Sequence, residues 1–136
     1  MAKALGIDYG KKRIGIAISD SLQIIASALT TVNTPDIFIF LDDLLKKQEI
    51  DCFVVGEPKN LDGTPTDSTA ITEEFVAKLS KKYSQIPIKR IDERFTSKIA
   101  KQSILDAGIK KMKRRDKALV DKVSAAIILQ SYLDAK

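Results

Sequence analysis

Ala4-Leu5-Gly6-Ile7-Asp8-Tyr9-Gly10-Lys11-Lys12-Arg13-Ile14-Gly15-Ile16-Ala17-Ile18 reads as two antiparallel strands joined by a tight turn. In the second strand Ile14, Ile16 and Ile18 share one face, while small Gly15 and Ala17 share the other. The first strand ends on a carboxylate, Asp8. Two more acids stand in equally unusual places: Glu93 just after the strand-like Ile88-Lys89-Arg90-Ile91, and Asp121 inside the final apolar helix. A lone buried carboxylate is costly, so proteins pair it, hydrogen-bond it or give it a metal. Three such acids on three core elements predict one shared cation site.

Working outward, strands are expected over residues 3 to 8, 13 to 19 and 25 to 32. Thr34-Pro35-Asp36 supplies an N-cap, a proline at the first helical position and a first-turn acid for a helix to about Gln48. That helix should bury Ile37, Phe38, Leu41, Leu44 and Leu45. Asp51 to Val55 is a short apolar strand leading into a loop that begins at Gly56. A second helix, about Ser68 to Tyr83, carries Ile71, Phe75, Val76 and Leu79 at helical spacing. Pro87 resets the chain for a strand over 88 to 91. Thr96 or Ser97 caps a third helix stopping at Gly108, and a last helix covers about Asp116 to Leu133. The order βββαβαβαα implies an α/β fold, with an antiparallel meander and then parallel strands flanked by helices. Residues 1 to 136 show no repeat, linker or low-complexity tract and read as a single domain.

Apolar content of 44% and charged content of 30% describe an ordinary globular chain. The single Cys52 lies in the apolar run Cys52-Phe53-Val54-Val55 and reads as a buried, reduced thiol. Asp8 interrupts any signal-peptide core, and no run is long enough to span a membrane, so the expected compartment is the cytoplasm, with no membrane partner. The net charge of +5 is unevenly placed: residues 81 to 117 hold thirteen Lys or Arg against four Asp or Glu, a net +9, leaving −4 elsewhere. Within that segment Lys110, Lys111, Lys113, Arg114 and Arg115 are nearly continuous. They read either as a solvated loop or as a contact for a phosphate backbone. Lys12 and Arg13, in the first turn, carry the same two readings.

In a mixed sheet of this kind the first strand is central, and its C-terminal end opens beside that of a parallel neighbour, where ligands collect. Asp8 and Glu93 occupy those ends. Asp121 shares a helix face with Ser124, Ala125 and Ile128, small enough to let the helix approach the sheet. Carboxylate oxygens suit hard divalent cations, Mg²⁺ or Mn²⁺. Two such ions about 3.5–4 Å apart activate water and stabilise the leaving oxygen of a phosphodiester. The chain contains no His, which removes His-based acid–base chemistry, His-ligated zinc and serine-type triads. Each acid has a plainer reading: Asp8 as a turn former, Glu93 paired with Arg90 or Arg94, Asp121 paired with Lys117 or capping the loop before it. One shared site accounts for all three at once.

Gly6-Ile7-Asp8-Tyr9-Gly10 through Ser19-Asp20 resembles the opening signature of the YqgF/RuvX family of small bacterial Holliday-junction-resolvase-like proteins. Val54-Val55-Gly56-Glu57-Pro58 with Leu61-Asp62-Gly63-Thr64, then Asp92-Glu93-Arg94-Phe95-Thr96-Ser97, then Val120-Asp121 through Leu133, are similar to its later motifs, in family order. The resemblance implies an RNase H-like fold with a mixed five-stranded sheet. It also implies a nuclease acting at the 5′ end of the 16S ribosomal RNA precursor, with Asp8, Glu93 and Asp121 as catalytic and metal-binding acids. The chain departs from the common pattern at Glu57, where many members are apolar, and at Pro65-Thr66-Asp67, where many are Gly-rich. Glu57 is therefore either an added acid near the site or a plain loop residue.

Three functions compete on the sequence. The first is a Mg²⁺- or Mn²⁺-dependent endonuclease on structured RNA, such as precursor 16S rRNA or the small-subunit precursor, or on branched DNA. The second is a non-catalytic nucleic-acid-binding or ribosome-assembly module with the same acids in a structural role. The third is an actin- or sugar-kinase-type phosphotransferase, which shares the Gly-Ile-Asp-x-Gly opening but closes two lobes over ATP, more than 136 residues supply. With eight aromatics, mostly on core elements, recognition by shape and phosphate is expected over base reading. A junction resolvase needs a dimer for paired cuts; an RNA trimmer does not.

Overall fold

Alternation in the opening hairpin decides how the layers stack. The computed structural model describes residues 2–60, 62–93 and 117–136. β1 (Lys3–Asp8) and β2 (Arg13–Ser19) pair antiparallel with Asp8 opposite Gly15, and β3 (Ala26–Asn33) pairs antiparallel with β2. β4 (Ile50–Glu57) and β5 (Ile88–Asp92) then add in parallel, giving the order β3-β2-β1-β4-β5 with β1 central. The odd-numbered Leu5, Ile7, Phe53 and Val55 and the even-numbered Ile14 and Ile16 face α1 (Ile37–Lys47) and α2 (Asp67–Lys82), where Ile37, Leu41, Phe75 and Leu79 complete a buried core. Each of these side chains contributes about 1.5–3 kcal/mol through its removal from water.

The opposite face is lined by smaller residues, Ala4, Ala17, Cys52 and Val54, and takes the last helix, α3 (Lys117–Asp134), through Ala125, Ile128, Leu129 and Leu133. A methyl group on Gly6 would sit 2.7 Å from Leu129 Cβ and 2.8 Å from the Ala125 carbonyl oxygen, so the helix lies directly on the bare backbone of β1. Cys52 is buried beneath α3, and burial first, then the nearby Asp51, pushes its thiol up to about 11, which keeps it protonated and inert.

The strands fall where the alternation places them, β4 running on to Glu57. The start of the first helix differs. Thr34–Asp36 is a 3₁₀ turn, and α1 begins at Ile37 without a side-chain cap. The Thr34 hydroxyl donates instead to the Gly10 carbonyl at 2.7 Å, and its N–H to the Lys12 carbonyl at 3.0 Å, so the would-be cap braces the β1–β2 turn. α2 starts one residue before expectation with Thr66 as cap: its hydroxyl accepts from the Ser68 N–H at 3.2 Å, while the Thr69 hydroxyl accepts from the Thr66 N–H at 2.8 Å. The expected third helix over 96–108 and the basic residues Lys110, Lys111, Lys113, Arg114 and Arg115 lie outside the described residues. No helix among the described residues is long and apolar enough to cross a membrane.

Candidate active site

The three acids predicted from the sequence meet at the C-terminal edge of the sheet, on the side covered by α3. Asp8 ends β1 and follows the alternation that turns Ala4 and Gly6 towards that helix. Across the ladder stands Gly15, and a Cβ there would run into the Asp121 carbonyl oxygen and lie 2.9 Å from the Lys122 nitrogen. Only glycine lets the first turns of α3 rest on β2 this closely, and that contact sets Asp121 beside Asp8.

Glu93 arrives from the other side. Its N–H donates to the Glu57 carbonyl at 3.0 Å, which continues the β4–β5 ladder one residue past the strand. Its side chain then crosses over Gly56, where a Cβ would come within 2.7 Å of Glu93 Cδ and 2.8 Å of Ile128 Cδ1. A glycine inside an apolar strand marks a close approach of something else, and here the something is a carboxylate.

Asp8 and Glu93 hydrogen-bond to each other. Burial first, then the charge and acceptor of Glu93, then the charge of Asp121 raise the pKa of Asp8 well above the usual carboxylate value. Glu93 is raised too, by burial, with the hydrogen bond from Asp8 and the charge of Arg90 working against the rise. Asp121 has a different partner. Arg13 Nε donates to its Oδ2 at 3.0 Å, both side chains being about one-third exposed or less.

The three carboxyls are therefore neighbours without being a ready-made ligand shell. Among the described residues no three acids, cysteines or histidines are already poised around one point, and Asp121 is engaged by Arg13. The donor set nevertheless fits a divalent cation. It is all oxygen and partly enclosed, the donor chemistry that hard divalent cations take.

The remaining sequence candidates divide clearly. Lys12 is exposed at the turn, with Lys11 beside it, whereas Arg13 points inward to Asp121. Glu57 continues the Phe53 and Val55 side of β4, facing away from α3, and pairs with Lys59 at 2.7 Å; it serves the site through its backbone carbonyl only. Of the partners suggested for Glu93 in a structural role, Arg90 binds Glu73 at 2.9 Å and the carbonyls of Val55 and Gly56, and Arg94 lies outside the described residues. Sequence reasoning missed the Arg13–Asp121 bond and the clearance over Gly56. Gly56 left a visible trace in the run Val54-Val55-Gly56; Arg13 left none.

Residues 2–135 match the family described as RuvX, Holliday junction resolvase. The chain belongs to the RuvX family. It is 53% identical over 133 residues to a protein of Christiangramia forsetii, covering 98% of each chain. It is 49% identical over 136 residues to one of Flavobacterium psychrophilum, covering 100% of this chain and 99% of the other, and 50% identical over 134 to one of Porphyromonas gingivalis, covering 98% and 97%. All three carry the name "Putative pre-16S rRNA nuclease". Among solved structures, the Fowlpox virus resolvase bound to Holliday junction DNA superposes with a TM-score of 0.61 at 12% identity, covering 98% of this chain and 97% of that one. Thermus thermophilus RuvC with its junction substrate gives 0.58 at 15% identity, covering 98% and 96%. The fold is the RNase H-like fold of these resolvases, as the family's motifs implied.

Proposed function

We propose that this RuvX chain is a divalent-metal-dependent endonuclease that hydrolyses phosphodiester bonds in the 5′ region of precursor 16S rRNA. The observation that carries the reading is the convergence of Asp8, Glu93 and Asp121, from β1, the end of β5 and the last helix, at the strand-end edge where ligands collect in α/β sheets. Two buried acids held side by side cost stability, and a cation-holding role accounts for that cost. The names of the relatives supply the substrate class. Asp8, Glu93 and Asp121 would hold the cation, Mg²⁺ or Mn²⁺, through their carboxylate oxygens. Once bound, the cation supplies Lewis-acid stabilisation of the charge that develops on the phosphate. Lys12, on the braced turn beside Asp8, contacts backbone phosphate next to the scissile bond, and the basic run from Lys110 to Arg115 is a second phosphate contact by its composition.

Incubation of a precursor 16S rRNA fragment and a four-way DNA junction in parallel, with Mn²⁺, with Mg²⁺ and with chelator, tests this directly. RNA cleavage that needs metal and vanishes in Asp8→Asn is the expected outcome. Cleavage that survives in Asp8→Asn excludes the mechanism. Tight, salt-sensitive RNA binding without any cutting makes the protein a binding module of ribosome assembly instead.

A further inference from the structure

We propose that Arg13 is a positioning residue for Asp121: it holds Oδ2 and leaves Oδ1 as the oxygen offered to the cation. The inference rests on the metal site proposed above and assigns that site a supporting residue. Arg13 is the first residue of β2, one strand away from Asp8, and Asp121 lies 108 residues further along the chain. The Arg13 backbone is itself fixed. A Cβ on Gly10 would strike its carbonyl oxygen, and Thr34 clamps the same turn through the carbonyls of Gly10 and Lys12. The guanidinium thus projects from an anchored base and bonds a single carboxylate oxygen at 3.0 Å. Partners that bond the far side of a ligating group fix its orientation, and their loss typically costs 10–100-fold in metal affinity.

Charge alone predicts the opposite. Removing a positive guanidinium from beside a cation site relieves repulsion and tightens binding. The sign of the effect therefore separates a positioning role from a merely electrostatic one. It also separates positioning from a phosphate contact, which would leave metal affinity unchanged and weaken RNA binding.

Titration calorimetry with Mn²⁺ and no nucleic acid decides it, using wild type, Arg13→Ala, Arg13→Lys and Asp8→Asn, with circular dichroism to confirm folding. Arg13→Ala is expected to bind Mn²⁺ about tenfold more weakly, with partial recovery in Arg13→Lys. In cleavage assays its loss should shrink at saturating Mn²⁺ while RNA affinity stays at the wild-type value. Equal or tighter Mn²⁺ binding by folded Arg13→Ala overturns the proposal and leaves the metal site standing. Wild type that takes up no Mn²⁺, or Asp8→Asn that takes it up equally well, overturns both.

Discussion

Gly56 and Glu93 are separated by 36 intervening residues yet share one small volume, the glycine's missing side chain being the space the carboxylate crosses. Gly56→Ala would put a methyl group 2.7 Å from Glu93 Cδ and 2.9 Å from Cγ, and a side-chain end is easier to displace than a backbone. The expected result is a modest stability loss, about 1–2 kcal/mol by urea unfolding, beside a cleavage rate lower by about 100-fold, since a misplacement near 1 Å costs that much. A rate that falls no further than the stability does would show that Glu93 can reach Asp8 by another path. Asp8 itself sets a second expectation. Asn cannot be ionised beside Glu93, so Asp8→Asn should unfold at a temperature several degrees higher than wild type in metal-free buffer at neutral pH, while losing activity.

At the scale of elements, the decisive contact is α3 on β2. Gly15→Ala sets a methyl group against the backbone carbonyl of Asp121, and a backbone cannot rotate away as a side chain can. The helix must lift, and the loss should be about 3 kcal/mol, read as a lower urea midpoint with unchanged slope. Elements were largely legible in the sequence, because period-two alternation in Ile14, Ile16 and Ile18 and helical spacing in Phe75 and Leu79 record the core directly. The α1 cap was not legible. Thr34 has the right chemistry for a cap, but the tertiary fold offers its hydroxyl the Gly10 carbonyl instead. Local signals name a donor; they do not name its partner. The same limit explains the site. Three acids in costly places could be picked out one by one, whereas the bond from Arg13 to Asp121 depends on a register between β2 and α3 that no nearby residue encodes.

For the molecule as a whole, the raised acids impose a pH dependence. A carboxyl whose pKa is higher folded than unfolded binds more protons in the folded state, so its contribution to stability falls as pH rises from the unfolded value, about 4, through the raised folded value. Metal-free protein should therefore lose melting temperature over that window. The exposed Asp20, Asp42 and Glu73, whose pKa values are lowered, act with the opposite sign but are screened by solvent. The difference between wild type and Asp8→Asn isolates the buried pair: it should widen with pH without metal and narrow when Mn²⁺ is added, because a ligand bound only to the folded state stabilises it. A difference that is flat with pH would mean that the pair titrates normally.

The glycine-to-backbone seating of α3 has one more consequence. Asp121 stands alongside Asp8 only where the last helix is seated on the sheet, so a chain without that seating owns the acids but not their constellation. Under the proposed activity, loosening this one helix would be enough to disarm the protein towards RNA while the sheet stays whole.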